Sequence, residues 1–177
     1  EAEASYEDFT ERKEEIDGNN DSRYKETEKP SPVKIQVNKY IDSNYIRNDY
    51  IKIEIHRKIS QIESREDINN IREELKDRFG IPSKEIDLYM FEKYFEHLAK
   101  INDITKRVKT KNGLIFHLSK KRSDEISFEV LVAKAKFVGP YFMIKETSDE
   151  KIKTIEINPN MTTKHYMYTM VDLLEIL

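Results

Sequence analysis

Two carboxylates in the sequence, Glu74 and Asp77, have a spacing that suits the binding of positively charged side chains. Residues three apart are neighbours on the surface of an α-helix, and Glu73 and Asn70 flank the pair there. Two arginine guanidinium groups could bind such a surface through paired hydrogen bonds. The alternative is a solvated helix face without a partner, because runs of charge usually face water. The residues alone leave both interpretations open.

The common catalytic and nucleotide-binding patterns are missing from the sequence. Its four glycines, at positions 18, 80, 113 and 139, form neither a phosphate-binding loop nor a dinucleotide-binding turn. Its four histidines do not pair at the spacing of zinc ligands, and there is no cysteine. No glycine-flanked serine indicates a nucleophile elbow. We therefore expect a non-catalytic chain that holds no cofactor and no metal.

The acidic residues lie in a segment, SREDINNIREELKDRFGIP, that predicts one complete helix. Ser64 is a typical N-cap, and Asp67, three residues later, can bond back to the backbone. Gly80 and Pro82 are typical of the residues that follow a helix. The apolar residues recur at helical spacing and predict a buried face opposite the acidic one: Ile68, Ile71, Leu75 and Phe79.

The remaining pattern predicts an α+β domain, with helices packed on a small, chiefly antiparallel sheet. A strand over 33–37 precedes a helix from Asn48 or Asp49, although Ile51, Ile53 and Ile55 also alternate as a strand would. A further helix begins at Ser83. The later elements are predicted in this order: a strand over 114–118, a helix capped by Ser123, a hairpin of strands 141–144 and 152–157, and a helix from Thr162 or Thr163.

Charge divides the chain into two parts. Residues 1–32 hold eleven acidic and five basic residues, which gives −6, so the net charge of −3 leaves +3 for residues 33–177. We interpret residues 1–32 as an acidic linker or the end of a preceding module, and 33–177 as the folded domain. No apolar run approaches the roughly 20 residues of a membrane span, so we expect a cytoplasmic protein that contacts no membrane.

The motif E-L-x-D-R-F-G, formed here by residues 74–80, resembles the C-terminal domain of the bacterial transcription-repair coupling factors, the TRCF domain. The similarity in the order of elements extends over about residues 32–177. The sequence departs from the family in the turn after the motif, which usually reads G-P-L-P. Here Gly80, Ile81 and Pro82 form a turn that is one residue shorter.

The resemblance implies a regulatory function. In the family this domain docks on an N-terminal UvrB-like module of the same protein, masks the surface that recruits UvrA, and restrains the motor until RNA polymerase is engaged. It implies that Glu74 and Asp77 contact arginines of that module, that Arg78 pairs locally, and that Phe79 and Gly80 are core and cap. ATP and Mg²⁺ would belong to the upstream motor of a longer parent, a DNA translocase that binds DNA through other domains.

Two other functions stay open. A DNA-binding accessory module could use a basic edge within 106–122, although we favour a solvated turn there because no aromatic base-stacking pattern accompanies the charges. A spacer with no partner is the third interpretation. The residues of the basic edge are Lys106, Arg107, Lys109, Lys111, Lys120, Lys121 and Arg122.

Overall fold

The computed structural model describes residues 41–177, and its first half consists of three consecutive helices. These are α1 (Asp49–Ser60), α2 (Arg65–Phe79) and α3 (Lys84–Ile101). Their N-caps are Asn48, Ser64 and Ser83, and each cap side chain accepts a hydrogen bond from the first turn. The three predicted helix starts are therefore confirmed. The predicted strand over 33–37 and the linker 1–32 lie outside the described residues.

The first helix settles the conflict between the helical and the alternating pattern of isoleucines. Ile55 and Ile59 are fully buried, whereas Ile53 is 58% exposed. A strand would place Ile53 and Ile55 on the same face, but a helix places Ile55 with Ile59. α1 forms a helix because its apolar residues, spaced four positions apart, then share one face, and that face packs against α2 and α3.

The second half contains a four-stranded sheet and three further helices. The strands are β1 (Ile104–Lys109), β2 (Leu114–Leu118), β3 (Phe142–Glu146) and β4 (Lys153–Ile157), in the spatial order β1-β2-β4-β3, and every pairing is antiparallel. The helices are α4 (Lys120–Glu125), α5 (Phe128–Val138) and α6 (Tyr166–Leu174), and a 3₁₀ turn, Pro159–Met161, precedes α6. The predicted α+β class with an antiparallel sheet is confirmed.

The core lies between the sheet and the helices, with α3 at its centre. α3 contacts α1, α2, α6 and β1. Phe95 of α3 and Phe116 of β2 are both fully buried, with ring centroids 5.6 Å apart. Met167 and Met170 of α6 are fully buried as well. Because α3 is buried against both halves of the domain, it fixes the position of α2 relative to the sheet.

Four sequence predictions were wrong, and three of them concern residues 104–138. The basic segment that we interpreted as a solvated turn contains β1, and a register shift between Ile104 and Lys106 interrupts its alternation. The helix predicted after Ser123 is two helices, because the backbone is extended at Ile126. Ser123 is buried within α4, where its hydroxyl accepts the Lys153 N–H at 2.9 Å instead of capping a helix.

The last helix begins later than predicted. The 3₁₀ turn at Pro159–Met161 ends just before Thr162 and Thr163, where the start was expected, and α6 is capped by His165. Asn158 caps the 3₁₀ turn by accepting the Asn160 N–H at 3.0 Å. The sequence offers several capping side chains in a row here, so the local pattern fixes the presence of a helix but not its first residue.

Candidate functional site

The predicted docking residues lie on the outward face of α2, opposite its buried Ile71 and Leu75. Asn70 and Asp77 are exposed, and the Glu73 side chain is 75% exposed. The Glu74 side chain is only 29% exposed. The structure therefore places the four residues on one face, but it gives Glu74 a different environment from the other three.

Glu74 joins α2 to α1 through an ion-pair network. Lys58 Nζ of α1 donates to both carboxylate oxygens of Glu74 at 2.7 Å, and Arg78 Nη1 donates to Oε1 at 2.6 Å. Glu54 completes the network, with its Oε1 3.1 Å from Lys58 Nζ. The hydrogen bonds from Lys58 and Arg78 lower the pKa of Glu74, and the bond to Glu74 raises the pKa of Lys58. Glu74 is thus a fully ionised group that already has two cationic partners.

Asp77, by contrast, forms no ion pair or hydrogen bond with any side chain among residues 41–177. Glu73 has one loose neighbour, Lys76 Nζ at 3.7 Å, and both side chains are largely exposed. An ion pair of that kind contributes little to the stability of the fold, because water competes for both charges. Asp77 and Glu73 are therefore the carboxylates of this face whose charge is available to a partner.

The last three residues of the motif, Arg78, Phe79 and Gly80, fix the C-terminal end of α2. Arg78 lies over the ring of Phe79, 5.0 Å from its centroid, and Phe79 meets the ring of Tyr45 edge-on at 6.0 Å. Gly80 has φ +88°, a conformation that side chains disfavour, and its N–H bonds to the Lys76 carbonyl. The Tyr45 hydroxyl donates to the Gly80 carbonyl at 2.7 Å. These contacts orient the turn that leads into α3.

That turn adds an apolar patch to the acidic face. Ile81 is 82% exposed, and it borders a groove of about 380 Å³ between the end of α2 and the start of α3. Arg72, Glu73 and Lys76 form the α2 side of the groove, and Pro82 lines it beside Ile81. Exposed carboxylates next to an exposed aliphatic side chain are a common composition for a protein interface with a polar rim.

Two arginines of α2, Arg65 and Arg72, lie away from Asp77 and are paired with other elements of the domain. Arg72 Nε donates to Asp87 Oδ1 of α3 at 2.6 Å, and the Tyr168 hydroxyl of α6 donates to the other oxygen of Asp87 at 2.8 Å. Arg65 bonds to Glu175 Oε1 at 2.6 Å and to Asp172. These pairs attach α2 to α3 and to the end of the chain, which leaves the acidic face as the free side of the helix.

The predicted basic edge within 106–122 separates into two clusters at opposite ends of the β1–β2 hairpin. Lys120 pairs with Asp124, and Lys121 and Arg122 lie 3.9 and 3.6 Å from oxygens of Glu125, all on α4. β2 lies between them and the hairpin turn, a distance of about 17 Å at roughly 3.3 Å per residue. The second cluster is Lys109 at the end of β1 with Lys111 of the turn. Arg107 lies between the two clusters, opposite Phe116, and Lys106 lies nearer α4, opposite His117.

Residues 41–177 contain neither a metal-binding cluster nor a membrane-spanning helix. No three side chains of His, Asp or Glu converge there to hold a metal ion. None of the helices over the same residues is long and apolar enough to span a bilayer.

The fold and this surface define a small α+β domain whose helical half presents a charged, largely unpaired face. The family model of the TRCF domain matches residues 35–128. A transcription-repair-coupling factor of Borreliella burgdorferi is 30% identical over 148 residues, which cover 81% of this chain. The chain belongs to the TRCF domain family of transcription-repair coupling factors.

Membership of the family does not by itself assign the activity of a whole coupling factor to this chain. The chain spans only 13% of the length of the Borreliella relative. A solved structure, the C-terminal domain of a transcription-repair coupling factor, matches with a TM-score of 0.64 over 79% of this chain and 85% of its own, at 21% identity. That similarity establishes the fold, and it assigns no role to individual residues.

Proposed function

We propose that this domain is a regulatory docking domain that binds, through the outward face of α2, to the N-terminal UvrB-like module of the same protein. In the docked state it masks the surface that recruits UvrA and restrains a DNA-translocating motor until RNA polymerase is engaged. The observation that carries the proposal is Asp77, exposed and unpaired within residues 41–177, beside Glu73 on a helix whose arginines and Glu74 are paired inside the domain. Membership of the TRCF family supports it.

The electrostatics of the face suit a reversible interaction with arginines. Asp77, Glu73 and Asn70 offer hydrogen-bond acceptors on one side of a single helix, so a pair of guanidinium groups can be held in one orientation. Charge pairs at the rim of an interface mainly raise the association rate and fix orientation. A contact of this kind can be released without unfolding either partner, as a switch requires.

Glu74 contributes to the proposed interface differently from Asp77, because a partner would have to share the Glu74 carboxylate with cations of the domain itself. Lys58 and Arg78 already donate to both of its oxygens. An incoming arginine therefore bonds to Glu74 only by displacing Arg78 or by using a remaining lone pair. We infer that Asp77 provides the first contact and that Glu74 mainly holds α2 in place.

Ile81 supplies the apolar part of the interface. It projects from the turn directly after the acidic face, and the groove beside it can accept a small aliphatic side chain. Burial of apolar surface at the centre of an interface slows dissociation, whereas exposed charge pairs contribute less to its lifetime. The partner surface should therefore carry arginines next to an aliphatic residue.

The parent protein is expected to be an ATP-dependent DNA translocase of transcription-coupled DNA repair in the cytoplasm. Its ATP, Mg²⁺ and DNA would bind to domains outside this chain. The name of the Borreliella relative supports a repair function of this kind.

The test is a titration of this chain against the N-terminal module of its own parent by isothermal calorimetry. We expect saturable binding that Asp77→Arg weakens at least tenfold, because the substitution places a cation opposite cations. Asp149→Arg is the matched control, since Asp149 is an exposed carboxylate in the turn between β3 and β4. Ile81→Ser should also weaken binding, through faster dissociation.

Equal weakening by Asp77→Arg and Asp149→Arg would show that net charge, and not the α2 face, determines binding. Absence of binding by the separate chains is checked with the two modules joined by a flexible linker, which raises their effective concentration. If the linked pair shows no contact that depends on Asp77, the proposal is wrong.

A further inference from the structure

A cleft of about 470 Å³ lies at the end of the β1–β2 hairpin, and no residue of α2 lines it. One wall is the hairpin itself, and the other is the segment from the end of β4 to the start of α6. Its polar lining is rich in hydrogen-bond donors and holds no carboxylate: Arg107, Lys109, Lys111, Asn112, Asn158 and Asn160.

The cleft is held in shape by backbone contacts. Thr110 and Gly113 close the hairpin turn through a backbone bond of 2.8 Å, and the Thr110 hydroxyl accepts the Gly113 N–H at 3.1 Å. A Cβ on Gly113 would lie 2.3 Å from the Ile157 carbonyl oxygen, so only glycine lets the turn approach β4 this closely. The turn that carries Lys111 and Asn112 is therefore fixed against the opposite wall.

Within residues 41–177, the cations of the cleft have no acidic partners. From Ile104 to Ser123 the sequence contains seven lysines and arginines and no aspartate or glutamate. Arg107, Lys109 and Lys111 form no ion pair with any carboxylate of residues 41–177. Arg107 lies opposite Phe116 and Lys109 opposite Leu114 in the hairpin, so both are on the same face of the sheet. Their charges add to a positive potential at one place.

An aromatic pair stands beside these cations. Tyr166, the first residue of α6, lines the cleft together with Arg107. The exposed ring of His165 lies against the Tyr166 ring, with centroids 4.5 Å apart and planes inclined by 32°. Aromatic rings beside a row of cations are the composition of surfaces on which nucleic-acid bases stack.

We propose that this cleft binds the sugar–phosphate backbone of a single-stranded nucleic acid, with phosphates on Arg107, Lys109 and Lys111 and a base on the Tyr166 ring. Cations at alternate strand positions are about 6.6 Å apart, which suits successive phosphates of an extended strand. An acidic peptide would use the same cations but would leave the aromatic pair without a function. The site is independent of the docking proposal, because it shares no residue with the α2 face.

The first experiment measures fluorescence anisotropy of a labelled oligothymidylate with the 177-residue chain at low salt. We expect Lys109→Glu with Lys111→Glu to weaken binding at least tenfold, and to reduce the slope of log K against log salt by about 1.4, at roughly 0.7 for each lost phosphate contact. The matched control is Lys120→Glu with Lys121→Glu, which changes net charge equally at the other end of the hairpin. It should change affinity less than about threefold.

Equal losses from the two double reversals would overturn the site, because binding would then follow net charge alone. So would the absence of binding by the unmodified chain at low salt. Thermal melting of every variant establishes that it is folded before its affinity is compared.

A second measurement separates a nucleic acid from phosphate alone. Inorganic polyphosphate is titrated as a competitor, and Tyr166→Leu is compared with Tyr166→Phe. We expect Tyr166→Leu to weaken oligothymidylate binding at least fivefold, the lower end of what one stacked base contributes, and to leave polyphosphate binding unchanged. Tyr166→Phe should retain the affinity. If polyphosphate binds to the unmodified chain as tightly as an oligothymidylate of equal charge, the nucleic-acid assignment is wrong.

Discussion

The second helix and the β1–β2 hairpin are both densely charged, yet they use charge in opposite ways. On α2, Arg65, Arg72 and Glu74 each pair with a residue of another helix or of the chain end. On the hairpin, Lys109 and Lys111 pair with no carboxylate of the described chain. Paired charges between elements fix geometry, and unpaired ones remain available for a ligand. By that criterion, α2 offers a partner only its outer face, whereas the hairpin offers its whole basic end.

The largest expected effect comes from the apolar side of α2. Leu75 is fully buried beneath the acidic face, so Leu75→Ala should lower the free energy of unfolding by about 2–5 kcal/mol through lost burial and a cavity. Urea unfolding measures it. A value below about 1 kcal/mol would mean that α2 is not packed as a core helix, and the contrast between its two faces would then disappear.

A smaller effect should come from the ion pair that joins α2 to α1. Glu74→Gln removes the charge that holds Lys58 and Arg78, and we expect a loss of about 1 kcal/mol at pH 7, since the groups are partly exposed. Lys58→Met alone should cost a similar amount. The double variant should lower the free energy of unfolding by less than the sum of the two single variants, because either substitution alone already breaks the Lys58–Glu74 ion pair.

The same pair makes a pH-dependent prediction. The folded-state pKa of Glu74 is lowered, so its stabilisation is complete above the ordinary glutamate pKa of about 4.3 and is lost as pH falls through the folded-state value. The stability difference between the unmodified chain and Glu74→Gln should therefore shrink below about pH 4. Urea unfolding of both proteins from pH 7 to pH 3 measures this, and a difference independent of pH would rule out an ionic origin.

Much of the helical half could be predicted from sequence because its signals are local. Ser64, Asp67 and Gly80 determine the ends of α2 within one segment, and its apolar spacing determines which face is buried. The exposure of Asp77 follows from the same spacing. The partner of Glu74 does not, because Lys58 lies 16 residues upstream on another helix. Only the packing of α1 against α2 brings the two charges together.

The hairpin half was harder to predict for the same physical reason. The irregularity after Ile104 removes the two-residue period that identifies a strand, so β1 looked like a charged turn. The sequence also shows no base-stacking pattern of aromatic residues among its cations, although Tyr166 joins them in the folded domain from 55 residues beyond Lys111. Aromatic residues interleaved with cations are visible in a sequence. A stacking ring that is distant along the chain, such as Tyr166, is brought to the cations only by folding.

The smallest expected effect concerns the two surfaces themselves. Asp77→Ala on α2 and Lys109→Ala on β1 should each change the free energy of unfolding by less than about 0.5 kcal/mol, because both side chains are exposed and form no ion pair within residues 41–177. Urea unfolding checks this beside the binding titrations. A cost above about 1 kcal/mol at either position would mean that the charge has a structural partner, and that surface would then resemble the paired side of α2. If both substitutions are neutral for folding while each weakens one binding reaction, the two surfaces are separate sites on a scaffold that needs neither of them to fold.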